Sequence, residues 1–231
     1  MRHFYKTKTY SDIKYSLLAY TVVFLFYNYT YSEYFLDKTH YLGNDYSYFL
    51  PSLLNGYFWF KENGLFSLPW FTASFCGGLP YFANPQTMYY SFPQMLTIFF
   101  DPQFSIYLTF IFFATLGYIG FYLLLRYVFN LSNTVSIFGA VLFLFNEFYI
   151  TRLIMGHLTA HSYMLLPFIS FFLLSDRNEK IKNKNLFNIN VILAAILLAY
   201  IIHSGAANYL ILIIISIIGI WLIFCLKNTI Q

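Results

Sequence analysis

The chain has 231 residues, 59% of them hydrophobic and only 10% charged, with a net charge of +4. Soluble domains carry about a quarter charged residues, so these figures exclude an ordinary soluble enzyme and point to an integral membrane protein. Basic residues scattered over short connections rather than along one stripe exclude a nucleic-acid partner. The two cysteines, Cys76 and Cys225, lie too far apart to suggest a disulfide framework or a metal-ligand spacing.

Residues 1–14 hold Arg2, Lys6, Lys8 and Lys14 against Asp12, and an apolar run from Tyr15 to Glu33 follows. About 20 such residues span the hydrocarbon as a helix. The run ends in Tyr-Ser-Glu-Tyr-Phe without a small-residue cleavage site, so it reads as an uncleaved anchor. A long loop, residues 37–87, comes next. Within it Asp45 to Glu62 has apolar or aromatic residues at Tyr46, Phe49, Leu50, Leu53, Leu54, Tyr57 and Phe58, the spacing of a surface helix. Two turns follow, Gly77-Gly78-Leu79-Pro80 and Ala83-Asn84-Pro85-Gln86.

Met88 to Phe100, interrupted by Pro93, is too short to span and reads as a re-entrant or interfacial segment. Asp101-Pro102 has the form of a helix start, with an acid at the cap and proline at the first position. Spans are expected over Gln103–Leu125, Asn133–Tyr149, Thr159–Leu174, Phe187–His203 and Asn208–Leu226, with a break at Ser204-Gly205 and a basic loop over Asp176–Asn185. The expected fold is therefore all-α, a single transmembrane domain over 1–231 with about six spans and one re-entrant or surface helix.

Lys and Arg set the orientation. If Met88–Phe100 does not cross, the connections on the N-terminal side hold Arg2, Lys6, Lys8, Lys14, Arg126, Arg177, Lys180, Lys182, Lys184 and Lys227. The other side holds only Lys38, Lys61 and Arg152, ten against three of the 13 basic residues. If it does cross, the count becomes five against eight. The positive-inside rule selects the first arrangement, with a cytoplasmic N-terminus. Asp45, Lys61, Asn84, Gln86, Glu147, Arg152, His157, His161, His40 and His203 then gather at the outer face.

Each polar residue there has a plain structural reading beside a functional one. Asp45 caps the surface helix, or holds an acid at a pocket mouth, or both. His157 and His161, four apart, would share a helix face as paired metal ligands do, but with no third ligand evident hydrogen-bonding histidines fit better, and no metal is expected. Glu147 is an ionisable residue near the end of an apolar helix, a functional position by default. Arg152 close by would neutralise it or hold a phosphate. Asp101 reads as a cap and His203 as a helix end.

The order of these motifs resembles the YfhO-like family of bacterial membrane proteins, within the GT-C superfamily of polyprenyl-phosphate-sugar-dependent glycosyltransferases. The resemblance runs through the early acid Asp45 after glycine, Gly77-Gly78-Leu79-Pro80, Ala83-Asn84-Pro85-Gln86, the stretch from Gly117 to Arg126, and Gly156-His157. It implies transfer of a sugar from a lipid-linked donor outside the cytoplasm, without a cofactor. It implies Asp45 as general base, and Lys61, Asn84, Gln86, Glu147, Arg152, His157 and His161, at the same outer face, are the substrate-binding candidates. No second acid stands beside Asp45, so the paired-acid form of the motif is absent. Relatives continue with further helices, so this chain is expected to be an incomplete module or to pair with a second polypeptide that supplies them. A truncated or non-catalytic membrane subunit is the competing reading. A transporter or flippase fits less well, because no internal repeat and no midplane polar path are evident.

Overall fold

The computed structural model describes residues 2–36, 45–175 and 189–230. Ten α-helices carry the described residues, joined by one two-stranded pairing. They are α1 (Arg2–Leu36), α2 (Tyr46–Asn63), α3 (Ser74–Gly77), α4 (Phe92–Leu96), α5 (Pro102–Leu123), α6 (Asn133–Leu144), α7 (Glu147–Ile154), α8 (Leu166–Ser175), α9 (Ile189–Ile201) and α10 (Leu210–Ile230). Strand β1 (Phe71–Thr72) pairs antiparallel with β2 (Leu79–Pro80).

Four helical runs are long and apolar enough to cross a membrane: Pro102–Val128, Asn133–Ile154, Leu158–Ser175 and Ile189–Lys227. That is fewer than the six expected, for two physical reasons. Tyr, Thr, Ser and Asn dilute the apolar character of α1 between Tyr15 and Ser32. The fifth and sixth expected spans form one helical run of 39 residues, interrupted at Gly205, whose φ of 84° no continuous helix contains.

Side-chain contacts give each leg its direction. Tyr20 hydrogen-bonds Thr115, Tyr27 stacks on Phe110, and Gln103 donates to Phe35 O, so α1 runs antiparallel along α5. The Tyr122 phenol meets Asn133 at one end of α5 and the Tyr149 phenol donates to Phe110 O further along, so α6 and α7 return beside it. In the 39-residue run, Asn190 bonds Ser175, Tyr200 bonds His161, and Phe224 packs with Leu124, Val128 and Leu174. The run thus travels the length of the bundle, doubles back at Gly205 and returns, as the Ser204-Gly205 break predicts.

Close approach between α5 and the segment opening α8 depends on glycine. A Cβ at Gly117 would lie 2.4 Å from Met164 Cε, and one at Gly120 would lie 3.0 Å from the Phe168 backbone nitrogen. Small residues let membrane helices approach in this way, which accounts for the Gly-x-x-Gly of the second span. The core beside it is aromatic: Phe110 lies under Tyr27, Phe35 and Tyr149 at ring separations of 5.2, 4.5 and 5.5 Å.

Several expected boundaries move. α1 continues back to Arg2 instead of starting near Tyr15. The segment Met88–Phe100 is neither a span nor a long re-entrant helix: only Phe92–Leu96 is helical, capped by Ser91 and started by Pro93. Within the run Asn133–Ile154, α6 ends at Leu144, and Asn146 caps a separate helix, α7, by accepting from Tyr149 N. The fourth span opens as a 3₁₀ segment, Leu158–Leu165, before becoming α-helical. Asp101 is the expected cap, its Oδ1 accepting from Phe104 N at 3.0 Å. Lys38, His40 and the basic loop over Asp176–Asn185 lie outside the described residues.

Candidate functional site

Helix α2 begins where α7 ends. Gly156 turns the chain out of α7 with φ 93°, and its missing Cβ matters, since one built there would stand 2.5 Å from Tyr46 N and 2.9 Å from Asp45 C. The start of α2 therefore rests directly on the backbone of Gly156. Asp45 N bonds Met155 O at 3.4 Å and the Tyr46 phenol donates to Leu153 O at 2.8 Å. Burial pushes the Tyr46 phenol well above its ordinary value, so it stays a neutral donor and the clamp persists across working pH.

This clamp brings two residues together that are 112 positions apart in sequence. Asp45 Oδ2 lies 2.7 Å from His157 Nδ1. The Asp45 side chain makes no capping bond to its own helix, so its carboxylate is turned away from the helix N-terminus and toward histidine. On the far side of the imidazole, Arg152 Nη1 lies 3.3 Å from His157 Nε2. Arginine offers only donors, so Nε2 accepts and the ring proton sits on Nδ1, donated to Asp45. The result is a line of carboxylate, imidazole and guanidinium. Both the histidine and aspartate side chains are partly exposed, 34% and 41%, so the line is open at its acid end. Arg152 also lies over the Phe148 ring, 5.5 Å from its centroid, which holds the guanidinium flat.

The neighbouring turn is the one the sequence singled out. Asn84 Oδ1 accepts from Gln86 N at 2.9 Å, closing the turn, and Asn84 Nδ2 donates to the Tyr48 phenol at 3.0 Å. Tyr48 sits one helical turn after Asp45, its N–H on Asp45 O. Gln86 O packs against Gly205, where a Cβ would lie 2.7 Å from it and 2.8 Å from Thr159 Cγ2. The turn is thus wedged between the start of α2 and the doubling-back point of the long run. Gln86 itself is exposed.

Three of the expected residues are not brought together with Asp45. Lys61 lies in the last turn of α2; 16 residues along a helix at about 1.5 Å each put it on the order of 24 Å from Asp45, outside any shared site. Glu147 opens α7 and is exposed, where an acid suits the helix dipole, while Arg152 engages His157 and Phe148 rather than Glu147. His157 and His161 do not share a face. The segment between them is 3₁₀, and His161 is fully buried, its Nδ1 on Leu158 O at 2.6 Å and its Nε2 on the Tyr200 phenol at 2.7 Å. Tyr200 in turn accepts from Phe92 N at 3.0 Å, so His161 ties three parts of the chain together.

His203 is exposed beside the Gly205 break. No group of three or more His, Cys, Asp or Glu among the described residues could hold a metal ion. Sequence reasoning did not find Tyr48, Tyr200 or the backbone role of Gly156. The one signal available for Gly156 was a glycine directly after a helix, the usual place for a positive-φ terminator. Comparison with protein-family models, curated proteins and solved structures finds no match.

Proposed function

We propose that this chain is a membrane glycosyltransferase of the GT-C type, similar to the YfhO-like proteins, and that it moves a sugar from a polyprenyl-phosphate donor to an acceptor hydroxyl outside the cytoplasm. The observation that carries this reading is the Asp45–His157 contact at 2.7 Å, made by a carboxylate that does not cap its own helix. In the reaction, Asp45 takes the proton of the acceptor hydroxyl through its other oxygen. The acceptor oxygen bonds to the sugar's anomeric carbon as the bond from that carbon to the phosphate oxygen breaks, and polyprenyl phosphate leaves. His157 holds the carboxylate in place and Arg152 fixes the imidazole tautomer. General-base catalysis of this kind contributes about 10²–10⁴-fold. The guanidinium donors not used on His157 suit the departing phosphate.

The test is transfer of a radiolabelled sugar from a polyprenyl-phosphate donor by native membranes that contain the protein together with any second polypeptide it pairs with. Transfer above that of membranes lacking it is expected, and equal transfer across a panel of sugars would overturn the reading.

The proposed topology has six crossings, counting α1 and the two legs of the long run, with the N-terminus cytoplasmic. It rests on the ten-to-three distribution of Lys and Arg and on the antiparallel course of each leg. With Cys76 and Cys225 replaced by serine, a membrane-impermeant thiol reagent applied to intact cells should label Asn63→Cys and spare Thr134→Cys. The reverse pattern would invert the topology and put the Asp45 site in the cytoplasm.

A further inference from the structure

From Asn63 to Phe100 the chain runs 38 residues without one Asp, Glu, Lys, Arg or His. A water-exposed segment of that length would carry about nine charged residues at the soluble norm. Yet only five of its residues are in α4, and it contains no candidate span.

Tyr81, Met88 and Tyr89 are withdrawn into the core, but a second set of its large side chains is not. Phe66 is 98% exposed, Trp70 64%, Phe71 57% and Phe99 77%. These residues are displayed on a pinned backbone. Gly64, at φ 79°, closes the end of α2 by donating to Phe60 O, while Trp59 Nε1 and the Tyr89 phenol both donate to Ser67 O, at 2.8 and 2.9 Å. Trp70 is braced edge-on against Phe82.

The position of the patch identifies its partner. α2 starts on the α7 turn at Gly156. Eight and eleven residues later, Leu54 and Tyr57 line a 290 Å³ groove with Phe99, Phe100 and Asp101 at the start of α5. The middle of the helix therefore lies beside the start of α5, and the Leu65–Phe71 loop follows its last turn. Phe99 and Phe100 lead directly into α5, one of the helical runs long and apolar enough to cross a membrane. Its composition, tryptophan and phenylalanine among uncharged Ser, Thr and Asn, is that of the headgroup boundary, where aromatic residues collect.

We infer that the Leu65–Phe71 loop is a membrane anchor: Phe66, Trp70 and Phe71 insert into the headgroup–acyl boundary of the bilayer leaflet at the Asp45 end and hold α2, with Asp45 at its start, level with the membrane surface. This rests on the membrane reading of the chain and not on sugar transfer.

Nitroxide labels at Phe66→Cys and Phe71→Cys test it, in the protein reconstituted into phosphatidylcholine vesicles with Cys76 and Cys225 replaced by serine. Collision rates with oxygen are expected to exceed those with a water-soluble nickel chelate at both sites, and the order to reverse for a label at the exposed Gln86. Chelate access at Phe66 and Phe71 equal to that at Gln86 would overturn the inference, as would dipolar broadening that marks a second copy covering the patch. If the labelled variants do not fold, vesicles of brominated phosphatidylcholine give an independent readout. Tryptophan quenching should fall in Trp70→Phe relative to the unaltered protein, and unchanged quenching would be contrary.

Discussion

Replacing Asp45 with asparagine is expected to remove sugar transfer, by about 10²–10⁴-fold, while membrane insertion and thermal stability stay close to those of the unaltered protein. Asparagine keeps the size and the hydrogen-bonding edge of aspartate but cannot accept the acceptor's proton. Its side chain is not needed as a cap, because Asp45 makes no capping bond to α2. The backbone bonds that start the helix, Tyr48 N and Phe49 N to Asp45 O, both at 3.0 Å, are untouched by the exchange. Transfer and unfolding measured on the same preparation separate the two effects. A variant that loses stability and activity together would make Asp45 a structural residue.

Gly156→Ala is expected to be strongly destabilising. At φ 93° an alanine is strained by about 1–3 kcal/mol before any contact is counted. Its Cβ would then press on the backbone of Tyr46 and Asp45, which no rotamer change relieves. The start of α2 must lift away from the α7 turn, which parts Asp45 from His157 and breaks the Tyr46 bond to Leu153 O. A lowered melting temperature together with lost transfer is the expected result. Gly219→Ala is the control: a Cβ there meets nothing within 4 Å, and alanine favours a helix interior by roughly 0.5–1 kcal/mol. Equal effects of the two substitutions would remove Gly156 from its role as the seat of the site.

Much of the fold was legible because helices in an apolar chain are written in lengths and breakers. The Asp101-Pro102 start, the Ser204-Gly205 reversal and the surface helix from Asp45 follow from local backbone rules. The N-terminal reach of α1 was not legible, because lysines and arginine are good helix formers and nothing between Arg2 and Tyr15 stops the helix. Histidine spacing misled for a different reason. A period of four matches neighbours on an α-helix, but Gly156 breaks the helix and a 3₁₀ segment follows, with three residues per turn, so His157 and His161 diverge.

The site itself was half legible. Asp45, Arg152 and His157 come together, with Asn84 bonded to Tyr48 one turn along α2, yet the closeness of Asp45 to His157 depends on the backbone of Gly156 receiving Tyr46, a contact between segments a hundred residues apart. Lys61 lies apart from Asp45 because a surface helix carries its end away from its start. Glu147 was misplaced because the helix expected to run through it ends at Leu144 and restarts at the Asn146 cap.

The central claim is that Asp45 and His157 act as one unit on the acceptor. A double-mutant cycle in the radiolabelled transfer assay tests it most directly, comparing Asp45→Asn, His157→Gln and the double variant with the unaltered protein. Residues that act as a unit are strongly non-additive, so the double variant is expected to transfer no more slowly than Asp45→Asn alone. A double variant whose loss is the product of the two single losses, or an Asp45→Asn protein that still transfers sugar, would contradict the account.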